Sequence, residues 1–301
     1  MAHKSLEILA KIKLARQNGE AEIEDDILGK LDVNADYTDS LIESQCEQVY
    51  KYYTQNTPQQ WTNKDLADCK LSVKRAREFN NGLFDPLKSQ IFSAELPFDI
   101  EFAEPWAIFD FGEDMRGFLS LKGTMDLIVL PDKNNINILE LVDYKTGRAV
   151  NFATGEEKTY EKLLNDPQLL IYYLAISHLF PQVEQILVTI LYINASGAIT
   201  MCYTKNDINR AKELLKARFE EIKNTTVPRL KKSWWCNSVC WNGKNTFEGT
   251  EITPMKDQYG NILTRCQQCE KMIRENGLDW VTEKYTKSGH SVGYYQCPGA
   301  L

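Results

Sequence analysis

No stretch of the 301 residues approaches the roughly 20 consecutive apolar side chains needed to span a bilayer, and Met1-Ala-His-Lys-Ser lacks the apolar run of a secretory leader. Both absences point to a cytoplasmic protein with no membrane partner. Internal repeats and low-complexity tracts are missing as well. So is a positive charge balance: 35 Lys and Arg face 42 Asp and Glu, for a net charge of −7. That excludes a protein that coats nucleic acid by bulk attraction. It does not exclude one that works on nucleic acid through metal ions, because metal-binding carboxylates make the local field negative until cations arrive. Histidine is scarce, at 3 residues; His178 on an apolar helical pattern and His290 in a loop read as structural or solvated.

What is present is core-forming material, 43% hydrophobic residues, and eight cysteines. In a reducing compartment these cysteines do not make a disulfide framework. Cys236, Cys240, Cys266, Cys269 and Cys297 all fall in the last quarter, which raises the question of metal.

The N-terminal 85 residues read as mainly helical. Apolar spacing marks a helix from Ser5, as N-cap, to Arg16, then helices near Leu41–Tyr53 and Lys64–Asn80, with an acidic, weakly patterned stretch between Glu20 and Asp39. From Gln90 the pattern changes. Ile91–Phe102, Phe118–Leu130 and Ile136–Tyr144 are rich in aromatic and branched residues and read as three antiparallel strands, the last two joined by a turn at Pro131-Asp-Lys-Asn-Asn135. Asp166-Pro167 opens a helix from Gln168 to Phe180 that Pro181 ends. Gln185–Asn194 and Ile199–Thr204 form a second strand pair, and Asn206 or Asp207 caps a helix through Lys223. The order predicts an α/β fold with a mixed central sheet flanked by helices. Its parts are a helical region 1–85, a core 86–228 and a Cys/Trp-rich segment 229–301.

Asp143 and Lys145 lie two apart on a strand, so both leave the same face of the sheet. A turn centred between Lys133 and Asn134 sets Asp126 opposite Leu141, on that face and diagonal to Asp143, at roughly 7 to 8 Å between backbones. Two carboxylates so placed can share a divalent cation that binds a phosphate oxygen and activates water, with Lys145 at the attacking water and the scissile phosphate. A one-residue slip would turn Asp126 to the other face. Gln168 and Tyr172, four apart near a helix N-terminus, share a helix face suited to a phosphate or a base. Arg148, Arg229, Lys231 and Lys232 are further candidates for phosphate contacts.

Gly123-Thr-Met-Asp126 on one strand, Asp143-Tyr-Lys145-Thr-Gly on the next and Gln168-x-x-x-Tyr172 on a helix together resemble the RecB-like branch of the PD-(D/E)XK nucleases, over about residues 90–223. The resemblance implies a restriction-endonuclease-like sheet and hydrolysis of DNA, most simply by an exonuclease acting on ends or single strands in replication, recombination or repair. The setting would be a bacterial or phage-infected cell, with a replication or recombination protein as a further partner. It implies Asp126, Asp143 and the Tyr144 carbonyl as ligands of Mg2+ or Mn2+, Lys145 as the catalytic lysine, Glu95 as an acidic residue completing or supporting the metal shell, and Gln168 and Tyr172 as substrate-binding. Many relatives of this kind carry a histidine ligand on an upstream helix. Here only His3 precedes the core, which leaves Glu43, Glu47 or Glu78 as substitutes, or no such ligand. A catalytically silent DNA-binding or assembly module is the alternative.

Cys236-x-x-x-Cys240 and Cys266-x-x-Cys269 resemble two halves of a structural zinc site. The family implies a competing reading, a 4Fe-4S cluster with Cys46 or Cys69 as its upstream ligand. Either metal would tie the Trp234–Trp241 segment down, unless its aromatics stack on bases instead.

Overall fold

The structure is a computed structural model that describes residues 1–110, 112, 116–150, 155–195, 197–225, 244–250, 252–277 and 279–281. The chain divides into two compact units, one of residues 1–149 with 157–221 and one of 150–156 with 222–301. Among the described residues no helix is long and apolar enough to cross a membrane.

The first unit is built on a five-stranded sheet of order β3-β6-β7-β8-β9: β3 (Ile91–Glu101), β6 (Ser120–Val129), β7 (Ile138–Lys145), β8 (Gln185–Tyr192) and β9 (Gly197–Thr204). All neighbours are antiparallel except β7 and β8, which are parallel. A parallel pair requires a crossover, and the chain between them supplies α4 (Tyr160–Leu164) and α5 (Pro167–Leu179). Asp166 caps α5 by accepting from Gln168 N, Pro167 sits where no N–H is needed, and the helix stops before Pro181. The mixed sheet flanked by helices is the expected fold, and the strand expectations hold. Their ends differ: Phe118 closes a short hairpin of β4 (Ile108–Asp110) and β5 (Arg116–Phe118), Ile136 and Asn137 lie before β7, and Ile193 and Asn194 lie beyond β8.

Two cores cover the faces of the sheet. On one, α5 and α6 (Ile208–Asn224) pack Leu170, Tyr173, Leu174 and Ala211 against Leu139, Leu141, Val188 and Ile190. On the other, α1 (Ala2–Asn18), α2 (Asp39–Asn56) and α3 (Asn63–Glu78) pack Leu6, Leu9, Val49 and Val73 against Leu127, Val142, Tyr144 and Leu191. Burying both faces explains why β7 and β8 read as nearly continuous hydrophobic runs.

Three local expectations are corrected. Helix α1 starts at Ala2 behind Met1, so Ser5 is no cap; it lies inside the helix and its hydroxyl donates to the Met1 carbonyl at 3.2 Å. The acidic stretch after α1 holds a hairpin, β1 (Glu22–Asp25) and β2 (Gly29–Asp32), which its charge hid. Thr204, rather than Asn206 or Asp207, caps the entry to α6. It leads a single 3-10 turn, Lys205–Asp207, in which Asp207 returns its carboxylate to Thr204 N at 2.9 Å.

In the second unit, α7 (Arg265–Asn276) begins at a capping box between Thr264 and Gln267, and Cys269 and Met272 pack with Phe247 and Val281.

Candidate active site

The hairpin between β6 and β7 takes two successive turns: Asp132 accepts from Asn134 N, and Asn135 accepts from Asn137 N. The extra length moves the register. Leu127 pairs with Val142, Ile128 with Leu141 and Val129 with Glu140, so Leu141 faces Ile128 and not Asp126 as expected. The offset is two residues, an even number, and the two carboxylates still meet. Asp126 and Asp143 are the next residues beyond the last paired rung, where β6 and β7 part while β6 stays paired with β3 through Met125, Thr124 and Gly123.

Gly123 has a steric reason: a Cβ there would lie 2.6 Å from Cζ of Phe98, its partner in β3. Nearby, Glu95 sits between the rungs Ala94–Leu127 and Leu96–Met125, beside Asp126, with φ +50°. That left-handed conformation is unusual for a residue with a Cβ and marks a strained position.

The electrostatics are those of crowded carboxylates. Asp143 has only 4% of its side chain exposed, and its Oδ2 is buried without a well-aligned hydrogen bond, facing the Lys145 ammonium at 2.9 Å. Burial pushes the Asp143 carboxyl up to about 6; Lys145 pulls it down, and Asp126 adds to the rise. Burial also raises Glu95, to about 7, with help from the negative charges of Glu7 and Asp126. For Lys145, burial works against the charge, but the Asp143 carboxylate outweighs it and holds the lysine above its ordinary value. Tyr172 is raised by burial and lies within the field of Asp143 and Asp126, and Gln168 Nε2 donates to its hydroxyl at 3.0 Å. The structure therefore brings Asp126, Asp143, Lys145, Glu95, Gln168 and Tyr172 into one neighbourhood. Tyr144 turns its side chain to the opposite face, where its hydroxyl donates to the Phe84 carbonyl at 2.9 Å. Arg148 is exposed on the loop after β7.

Sequence reasoning missed His3. Its Nδ1 lies 3.7 Å from Asp126 Oδ2, delivered by the first turn of α1. The three glutamates considered in its stead point elsewhere: Glu43 and Glu47 pair with Lys70, and Glu78 with Lys74.

Also unforeseen is the charge cluster that fixes this turn. Lys4 reaches Asp25 at 3.0 Å, Asp26 at 2.5 Å and Glu7 at 2.8 Å, and Lys11 pairs with Glu7. Carboxylate oxygens of Glu7, Asp25 and Asp26 come within 4.8 Å of one another. An ammonium already stands among them, so they form an ion cluster running from buried Asp25 to exposed Asp26 rather than a vacant cation site. Burial opposes the charge of Lys4, but its three acceptors keep it firmly protonated. Asp25, disfavoured by burial, is held below the usual carboxylate range by Lys4 and by the Ile27 and Leu28 amides.

Among the described residues, Lys145 is the cation ion-paired with the group of Asp126, Asp143, Glu95 and His3, at Asp143, while Lys4 and Lys11 act on Glu95 through their charge. The group presents oxygens and one imidazole, a buried oxygen lacking a hydrogen bond, and two carboxyls, Asp143 and Glu95, raised chiefly by burial and further by neighbouring negative charge. This donor set fits a hard divalent ion.

A mixed sheet whose central antiparallel strands part to offer two acids and a lysine is the frame of a restriction-endonuclease-like nuclease. The family model for the PD-(D/E)XK nuclease superfamily matches residues 2–241, and the chain belongs to that superfamily, whose nucleases use divalent metals. Among curated proteins, none matches the chain.

Of the expected thiolate set, Cys266 and Cys269 lie three apart at the start of α7, on one helix face. Cys236 and Cys240 lie outside the described residues, as do Cys297, His290, Trp234–Trp241, Arg229, Lys231 and Lys232.

Proposed function

We propose that the chain is a Mg2+- or Mn2+-dependent deoxyribonuclease of the RecB-like branch, working as an exonuclease on DNA ends or single strands in replication, recombination or repair. The observation that carries this is the buried Asp143, ion-paired to Lys145 and adjoining Asp126, with His3 supplied by a helix outside the sheet. A helix-borne histidine is the feature that the resemblance called for.

In this reading Asp126, Asp143, His3 and the Tyr144 carbonyl hold the cation, and Glu95 completes or supports that shell. The cation, when bound, offsets phosphate charge and makes water a better nucleophile. Lys145 donates hydrogen bonds to the attacking water and to a phosphate oxygen, fixing their approach. Gln168 and Tyr172, linked to each other at the N-terminal end of α5, hold the substrate strand beside Lys145, and exposed Arg148 meets a neighbouring phosphate. Cys236, Cys240, Cys266 and Cys269 hold a structural zinc, or the C-terminal cysteines share a 4Fe-4S centre with Cys46 or Cys69; metal analysis and visible absorbance of the purified chain distinguish the two.

The test is incubation of linear and closed circular DNA with Mn2+, comparing wild type with Asp143→Ala and Lys145→Ala. Wild type should degrade linear DNA alone and both variants should be inactive. Equal degradation by all three, or none by wild type, overturns the enzyme reading and leaves a silent DNA-binding module.

A further inference from the structure

Between the start of α1, α3 and the β8–β9 turn lies a cavity of about 480 Å³, within the roughly 300–1,000 Å³ of small-molecule sites. Its lining includes Ala2, the neighbour of His3, and Thr146, the neighbour of Lys145, so it adjoins both the helix and the strand that build the site. Trp61, Ser72 and Arg75 come from α3 and the segment before it, and Asn194 from the β8–β9 turn.

The polar groups are linked across these elements. Asn194 Oδ1 accepts from Arg75 Nη1 at 3.0 Å, while its Nδ2 donates to Ser72 Oγ at 3.0 Å and to the Thr146 carbonyl at 3.4 Å. Asn194 thus ties the end of the Asp143–Lys145 strand to α3 and aims the guanidinium. Arg75 is exposed, and this contact uses one of the five N–H donors of an arginine fork. Trp61 is also held: its indole N–H donates to Thr57 Oγ1 at 2.9 Å, and its ring meets Tyr53 edge-on at 6.5 Å.

The wall carries charge of both signs, since Asp65 and Asp68 line it too. Asp65 is occupied at the start of α3, accepting from Thr62 N and Oγ1. A multiply charged anion suits such a wall poorly. A flat aromatic group with a single phosphate suits it well, stacking on the fixed indole and reaching one guanidinium.

We infer that this cavity is a subsite for one unpaired nucleotide of the DNA strand, next to the scissile phosphate, with its base against Trp61 and its phosphate on Arg75. The inference rests on the nuclease reading above. A cavity of this size takes a base out of a stack rather than a duplex, so a paired end must fray before it enters. Single-stranded or frayed ends are thereby favoured.

The test reads binding and not cleavage. A fluorescent single-stranded oligonucleotide and a blunt duplex of the same sequence are titrated with the full chain without divalent cation, following anisotropy. Trp61→Ala should weaken single-strand binding about tenfold, within the range of one base–aromatic contact, and Trp61→Phe, which keeps a ring against Tyr53, should restore most of it. Arg75→Ala should weaken it and lower the salt slope by about one. Duplex binding should not change.

Unchanged single-strand binding by Trp61→Ala, equal losses on both substrates, or no single-strand binding by wild type each overturns the subsite. Because no bond is broken, binding that depends on Trp61 without degradation keeps the subsite and removes the nuclease reading. Degradation with binding indifferent to Trp61 does the reverse.

Discussion

Asp126 and Asp143 are the first residues past the last hydrogen-bonded rung of β6 and β7, Leu127 with Val142, and the fork that opens there makes the site. On paired strands the two acids would be locked at ladder spacing. Past the fork, Asp143 sinks into the protein while Asp126 keeps about 30% of its side chain exposed.

Asp143→Asn should stabilise the metal-free protein near neutral pH. The folded carboxyl, at about 6, lies above the model-compound value of about 3.9. The penalty is therefore absent below about pH 4, where both states are protonated, grows as pH rises because the unfolded chain ionises first, and is full above about pH 6. Urea midpoints of wild type and variant in EDTA should coincide below pH 4 and separate by about 1–3 kcal/mol at pH 7. A separation that is largest in acid would contradict this assignment.

His3→Ala should leave the fold intact, because the side chain is about half exposed at the start of α1 and outside the packed core. Apparent Mn2+ affinity should fall about 10- to 100-fold, the scale on which groups supporting a metal site act. Calorimetric titration of Mn2+ checks this directly, and an unchanged affinity removes His3 from the ligand set.

Gly123→Ala should destabilise by about 1–3 kcal/mol through overpacking against Phe98. Trimming the ring in a Phe98→Leu, Gly123→Ala double variant should recover part of that loss. Additive losses in a denaturant cycle would show that the contact is not the cause.

Lys4→Met should cost about 3–5 kcal/mol, because it leaves Asp25, whose side chain is fully buried, without its counter-charge. Asp25→Asn in the same chain should restore much of the loss. A thermal melt of the three proteins decides this.

Much of this architecture was legible in the chain. Strand periodicity placed β3, β6 and β7, Asp166-Pro167 placed α5, and the two-residue spacing of Asp143 and Lys145 gave their shared face. The β6–β7 register was not legible, because Asp132 and Asn135 each nucleate a turn and the sequence does not count turns. His3 was overlooked for a related reason: reading Ser5 as a cap left it outside the helix, whereas a start at Ala2 sets His3 and Glu7 four apart on one face. The clamp on Lys4 joins α1 to a hairpin whose four apolar residues, Ile23, Ile27, Leu28 and Leu31, are interleaved with charges, so only the folded chain reveals it.

The seating of α1 bears on the order in which the molecule assembles. Gln17 exchanges two hydrogen bonds with the backbone of Ile91, at 2.7 and 2.9 Å, and the helix that begins with His3 is thereby moored to the edge of the sheet across a separation of 74 residues. Such closures are slow, since a long loop must be ordered before its contacts repay the cost. On the nuclease reading proposed above, hydrolytic competence should accordingly emerge late in refolding, after the β6–β7 hairpin has formed, since a partly folded chain would carry Asp126, Asp143 and Lys145 without His3 beside them.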